Sequence, residues 1–334
     1  MNGRTRRWLR RRTQLAMAPL LAAVLAAGQA TVLLAAEPPS SETIYFVRTS
    51  DATLMSVRPD GTGLVAVGCP GDRTQGGTPR RVLRIEQDGD ASVLVSRDEQ
   101  CADARVLWAP GAGYVLGTAS WSIDGTRVAV AGRRVNGDGA VVEQGIWVGE
   151  VCDAGLCGVH LAATPGGSFP SWSPDGRRVV YGRAVDPGTN PSLGGIFVAD
   201  LGLPGATTVR GDRQILIAGS HPYGQYGPAF SPVAGTDLIV YTETTPKAGW
   251  VRNEVFVITS AGGTPRQVTS KSTASSPQIL HPAWSPDGTW IAYDGVQQGT
   301  TTAAIFKIRA DGSSKAVLVA SVARSSCYAP SWRR

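Results

Sequence analysis

One phrase recurs along this chain at a spacing that few folds can accommodate. Pro170-Ser171-Trp172-Ser173-Pro174-Asp175-Gly176 returns as Pro282-Ala283-Trp284-Ser285-Pro286-Asp287-Gly288. Looser copies are Ala119-Ser120-Trp121-Ser122-Ile123-Asp124-Gly125, Pro228-Ala229-Phe230-Ser231-Pro232 and Pro330-Ser331-Trp332. The aromatic anchors Trp121, Trp172, Phe230, Trp284 and Trp332 stand 51, 58, 54 and 48 residues apart. A period of roughly fifty is too long for a helical repeat pair or a leucine-rich turn, and it suits one four-stranded propeller blade.

Each copy reads as strand chemistry. Ser-Pro-Asp-Gly after the anchor is a turn: proline pre-sets φ, Asp bonds its own backbone and Gly takes the left-handed conformation. A β-branched or aromatic run follows, as in Val128-Ala129-Val130, Val179-Val180-Tyr181, Leu238-Ile239-Val240-Tyr241 and Ile291-Ala292-Tyr293. A second run follows a polar loop: Ile146-Trp147-Val148, Ile196-Phe197-Val198, Val255-Phe256-Val257 and Ile305-Phe306. Short strands between Gly, Pro and Asp signals predict an all-β fold.

The ends of the chain fit a closed ring. Pro330-Ser331-Trp332 begins one more copy, and Ile44-Tyr45-Phe46-Val47 reads as the strand that should follow an anchor. The expectation is a blade shared between the C-terminal strand and the N-terminal ones, which removes two open sheet edges. Residues 68–118 fill one further period without an anchor phrase and read as a diverged blade, built from Val82–Ile85, Val93–Val95, Val106–Trp108 and Tyr114–Leu116. The sum is a six-bladed β-propeller of four-stranded antiparallel blades over residues 43–334.

Charge is concentrated at the start. The chain has 32 basic and 26 acidic residues, and Arg4, Arg6, Arg7, Arg10, Arg11 and Arg12 precede the first acid, Glu37. Beyond those six arginines the two signs balance, so the expected domain lacks the basic excess that nucleic-acid binding requires. The basic head, the apolar stretch Leu15–Ala36 and small residues near its end describe a secretory signal over residues 1–36, with a linker at 37–42. An uncleaved membrane anchor is the alternative. Export to the periplasm or the extracellular space is expected, with membrane contact only through an uncleaved leader.

Five cysteines lie beyond the leader. Cys152 and Cys157 flank what reads as a four-residue hairpin loop, and strand partners come within disulfide reach. Oxidising export permits the bridge. Cys69 and Cys101 are a second candidate pair, leaving Cys327 single, though sequence does not fix that connectivity.

These WSPDG-type units, each followed by an aromatic-rich strand, resemble the repeats of TolB-like propellers over about residues 43–334. The same repeats occur in the propeller halves of prolyl-oligopeptidase-type peptidases. TolB itself carries an α/β domain ahead of a six-bladed propeller, whereas here the leader runs almost straight into Ile44. The resemblance implies an exported propeller that offers a surface or central funnel to a partner.

Chemical motifs are sparse. The sequence contains no G-x-S-x-G elbow, P-loop, H-E-x-x-H or EF-hand loop. His160, His221 and His281 are its three histidines. His221 and His281 precede inner strands of adjacent blades. One reading makes them metal ligands in the funnel, helped by Gln225 or Gln278, as in propeller lyases acting on oligogalacturonate. The other has each imidazole bonded to a neighbouring loop, since no carboxylate partner is apparent in the sequence. Asp124, Asp175 and Asp287 recur at one phase and are expected to build turns; the anchors are expected to pack between blades. Loops 185–195, 218–227 and 245–253 are the expected contact loops, with His221, Tyr223, Tyr226, Trp250 and His281 as binding candidates. The sequence thus points to a monomeric, non-enzymatic, cofactor-free module gripping an envelope protein or peptide. The alternative is a metal-dependent carbohydrate- or peptide-active enzyme.

Overall fold

The structure, a computed structural model, describes residues 42–70, 74–75, 81–98, 102–163, 167–184, 194–201, 212–216, 225–247, 250–269, 280–296, 300–314, 316–322 and 325–333. The leader at 1–36 and most of the linker lie outside them. Six sheets of short strands follow one another along the chain. Blade 1 opens with β1 (Thr43–Arg48), β2 (Thr53–Val57) and β3 (Val65–Pro70), and the two-residue β4 (Thr74–Gln75) follows. Blade 2 holds β5 (Arg81–Asp88), β6 (Ala91–Asp98) and β7 (Arg105–Trp108). Blade 3 holds β8 (Tyr114–Trp121), β9 (Arg127–Val135), β10 (Val141–Cys152) and β11 (Gly155–Ala163). Blade 4 holds β12 (Ser168–Trp172), β13 (Arg178–Ala184), β14 (Gly194–Asp200) and β15 (Asp212–Leu216). Blade 5 holds β16 (Gln225–Phe230), β17 (Leu238–Lys247), β18 (Trp250–Thr259) and β19 (Gly262–Gln267). Blade 6 holds β20 (Leu280–Trp284), β21 (Trp290–Val296), β22 (Ala303–Arg309) and β23 (Val317–Ala320). The last strand, β24 (Cys327–Arg333), returns to pair antiparallel with β1, with Ile44 opposite Trp332 and Tyr45 opposite Ser331.

Strand alternation explains how the blades stack. Successive side chains point to opposite sides of a sheet, so on β17 Ile239 and Tyr241 enter the seam with blade 4 while Val240 enters the seam with blade 6. Phe230 anchors the first of these seams and Trp284 the second. Trp172 packs with Ile146, Val148 and Tyr181 between blades 3 and 4. Trp121 packs with Leu83, Leu94 and Val130 between blades 2 and 3. Trp332 packs with Ile44, Phe46 and Ile305 between blades 6 and 1. Leu54 and Val82, flanked by Tyr45 and Val67, complete the circuit between blades 1 and 2. Each buried indole contributes roughly 2–3 kcal/mol of transfer free energy.

The anchors also bond across the seams. Trp172 Nε1 donates to Ser120 O at 3.2 Å and Trp284 Nε1 to Ala229 O at 3.0 Å, in each case the carbonyl just before the previous anchor. Trp332 Nε1 donates instead to Glu42 Oε2 at 2.8 Å, tying tail to head. Trp121 Nε1 is buried and has no hydrogen-bond partner among the described residues. Blade 2 carries no anchor phrase to supply that carbonyl.

Three details differ from the sequence reading. Blade 2 has three paired strands among the described residues, and β4, the strand before β5, pairs in parallel with β8 of blade 3. Tyr114–Leu116, expected in blade 2, is the start of β8 in blade 3. The Cys152–Cys157 disulfide forms with a Cα–Cα distance of 6.0 Å. Its hairpin turns on two residues, not four, with Cys152 opposite Gly155 and Cys157 opposite Glu150 in one continuous register. The Cys69–Cys101 pairing lies outside the described residues.

Cys327 is a free thiol, fully buried in the seam between blades 6 and 1. Burial pushes its thiol up to about 11. Since the thiolate is the reactive form, iodoacetamide at about pH 8 is expected to spare Cys327 in the native protein and alkylate it in denaturant. Peptide mapping by mass spectrometry reads both states, and native labelling would show a seam that opens readily.

Candidate functional site

An antiparallel meander sends successive connections to opposite ends of the sheet. The turns after β8, β12, β16 and β20 therefore share one face of the ring with the disulfide hairpin. The strand ends that flank the β13–β14, β15–β16 and β17–β18 connections belong to the opposite face. These are the turn face and the funnel face. Of the expected contact loops, residues 185–193, 218–224 and 248–249 lie outside the described residues.

The turn face repeats one chemistry. Oδ1 of Asp124, Asp175 and Asp287 accepts from the hydroxyls of Ser122, Ser173 and Ser285 at 2.5, 2.5 and 2.6 Å. The same oxygens accept the backbone N–H of Thr126, Arg177 and Thr289 at 3.1, 3.0 and 3.0 Å. Partial burial pushes these carboxyls up, and the hydroxyl and backbone bonds more than offset it, leaving all three below the usual carboxylate range. Gly176 closes its turn at φ 63°, and Arg127 of blade 3 donates to its carbonyl while lying 4.7 Å from the Trp172 ring centroid. Bonds of this kind make turns, and they recur because blades recur.

The funnel face differs from blade to blade. Thr118, Phe169, Gly227, His281 and Ala329 stand three residues before the five anchors. Each falls where the inner strand shifts register against its neighbour, a β-bulge. Four of the five are left-handed: Phe169 at φ 56°, Gly227 at 58°, His281 at 51° and Ala329 at 52°. For a residue with a Cβ this backbone costs about 1–3 kcal/mol.

These residues form one connected group. Phe169 N donates to Thr118 Oγ1 at 2.8 Å. The Phe169 ring, on blade 4, reaches past blade 5 to within 6.0 Å of the His281 ring on blade 6. A Cβ on Gly227 would lie 3.5 Å from His281 Cα. Ala329 N donates to Asp294 Oδ1 at 3.3 Å. Two rings from non-adjacent blades meet only near the axis, so this group narrows the funnel.

His281 supplies the chemistry. Its Nδ1 lies 3.0 Å from Asp294 Oδ1, with His281 7% and Asp294 1% exposed. Burial pushes the Asp294 carboxyl up, opposed by its bond to His281. A carboxylate on Nδ1 sets the tautomer and leaves Nε2 as the ring nitrogen open to a ligand. Blade 5 adds two buried acids opposite each other, Glu243 and Glu254, which accept from the Tyr241 and Thr269 hydroxyls.

Of the binding candidates, the structure places His281 at this axial group. Tyr226 stands in β16 opposite Thr242, and Trp250 opens β18 opposite Lys247. His221 and Tyr223 lie outside the described residues, as does Gln278. His160 sits in the outermost strand of blade 3, bonded to Gly158 O at 2.9 Å, away from the funnel. The expectation that His281 lacks a carboxylate partner is corrected by Asp294. Among the described residues no cluster of three His, Cys, Asp or Glu is arranged to hold a metal, and none of their helices is long and apolar enough to cross a membrane.

No protein-family model and no curated protein sequence matches the chain. Solved structures do. The chain is similar to TolB from Acinetobacter baumannii at 16% identity and a TM-score of 0.60, covering 87% of this chain and 66% of that one. The fold is that of a TolB-like six-bladed propeller. The TolB-like ring is equally similar to a chain of the nidogen–laminin complex, at 8% identity and a TM-score of 0.60 over 87% of this chain and 98% of that one. A manganese-bound oligogalacturonate lyase aligns at 12% identity and a TM-score of 0.50, over 83% of this chain and 72% of that one. At such identities the likeness is one of fold. Binding proteins and enzymes share it, so the TolB-like chain's role has to be argued from its own side chains.

Proposed function

We propose that this chain is an exported, non-enzymatic binding module that grips an envelope protein or peptide at the funnel face. One observation carries the reading. The turn face repeats one Ser–Asp–Gly arrangement in blades 3, 4 and 6, whereas the matching bulge position on the funnel face bears Thr, Phe, Gly, His and Ala in turn. A scaffold needs repetition; recognition needs differences held on a rigid frame. The nidogen propeller is found in complex with laminin, so the architecture supports a protein partner. Export rests on the basic, apolar leader.

A photo-crosslinking residue placed at 169 is expected to capture one discrete partner from envelope extract of the native host, and the same residue at 175 on the turn face is expected to capture none. Equal capture from both positions, or none from 169, would remove the reading. Stoichiometric metal in protein purified without chelator or affinity tag would favour the enzyme alternative, with His281 as one ligand.

A further inference from the structure

The axial group says what kind of group the funnel reads, given that the funnel face is the binding face. We infer that Phe169 and the His281–Asp294 pair form a subsite for a primary ammonium, the amino terminus or a lysine of the bound polypeptide.

The argument begins with strain. Gly227 shows that this backbone position accepts glycine, the residue that adopts it without penalty. Phe169 and His281 hold the same conformation with large side chains. The fold does not need those side chains to shape the bulge, so their retention calls for another cause. Backbone strain of this kind concentrates at ligand sites.

Electrostatics then selects the ligand. With Nδ1 on Asp294, Nε2 is the remaining ring nitrogen of His281, and it presents a lone pair when Nδ1 carries the proton. Phe169 adds an aromatic ring, whose face attracts cations. Thr118 and Phe169 are partly exposed beside them. Asp294, Glu243 and Glu254 are the buried acids on the funnel-face halves of blades 5 and 6, while Lys247 and Arg252 stand at the paired ends of β17 and β18, and Arg183 on blade 4 lies 3.6 Å from the Phe197 ring centroid. Lone pair, ring face and carboxylate all complement an N–H-rich cation, and a carboxylate or phosphate ligand would meet none of them favourably.

The test uses three tripeptide amides and the full chain. One has a free amino terminus, one is N-acetylated with a central lysine, and one is N-acetylated with alanine only. Saturation-transfer NMR titration is expected to show the charged probe that fits binding about tenfold more tightly than the neutral one, the value of one charge-assisted bond. Whichever charged probe prevails identifies the source of the ammonium. His281→Asn keeps a residue tolerant of left-handed backbone and an amide N–H for Asp294, but lacks Nε2. It is expected to melt near the wild-type temperature and to lose that tenfold preference. Phe169→Gly relieves strain and should weaken the charged probe without lowering the melting temperature; Phe169→Leu replaces it should the glycine variant fail to fold. Ala52→Gly, which relieves the same left-handed backbone in the β1–β2 turn outside the axial group, should leave binding unchanged.

Equal binding of all three probes, no binding by either charged probe, or a wild-type preference in folded His281→Asn would overturn the subsite. A partner still captured from position 169 in that event would leave the broader binding reading standing.

Discussion

Deleting residues 328–334 is expected to lower the melting temperature by on the order of 10 °C or more, because it opens the ring. The deletion removes most of β24, whose register against β1 sets Thr43 opposite Arg333, Ile44 opposite Trp332 and Val47 opposite Tyr328. It takes Trp332 from the seam with blade 6 and breaks its bond to Glu42. It also frees Asp294 from the Ala329 N–H. Loss of the indole alone costs roughly 3–5 kcal/mol. What remains of blade 1 is then held mainly through Leu54 and Val82, the smallest of the six seams. That seam has no anchor tryptophan to compensate, and β1 is left as an open edge prone to pairing with other chains. Calorimetry with the intact and shortened chains decides the matter: an unchanged melting temperature would mean that tail and head do not lock the ring.

How much of this was legible in the sequence follows how local the physics is. Ser173, Asp175, Gly176 and Arg178 lie within six positions and make their turn with each other, so their pattern announces itself. The anchors repeat because five of the six seams are filled by one bulky ring at the same register. The strands β5, β6 and β7 of blade 2 were legible as a diverged blade, but β4 was not, because two residues paired in parallel to the neighbouring blade leave no local pattern. Tyr114–Leu116 was assigned to the wrong blade because Gly117 and Thr118 at the bulge break the alternation of β8. The hairpin at Cys152 was read too long because the two cysteines were taken as facing partners, whereas Cys152 pairs with Gly155 and Cys157 with Glu150. His281 was visible from its place before an anchor. Its partner Asp294 is 13 residues away and meets it only across the β20–β21 register. The available signal was a lone acid ending the run Ile291-Ala292-Tyr293, where blade 5 carries Thr242 at the matching register.

Trp172→Ala is expected to cost about 3–5 kcal/mol, the range for emptying an aromatic site in a packed core. Trp172 is 2% exposed among Ile146, Val148 and Tyr181. Its loss also strips the Ser120 carbonyl of the indole N–H and removes the ring beneath Arg127, itself 7% exposed. An internal comparison separates packing from hydrogen bonding. Trp172→Phe keeps most of the bulk and gives up the bond to Ser120, whereas Trp121→Phe gives up an N–H that has no partner among the described residues. The second substitution should therefore be milder by about 1 kcal/mol, the net value of one buried hydrogen bond. Urea unfolding with an unchanged m-value measures both differences. The assignment of the anchors to blade packing fails if Trp172→Ala unfolds at the wild-type midpoint while capture of the partner at the funnel face is lost, for then the ring would be serving recognition and not the scaffold.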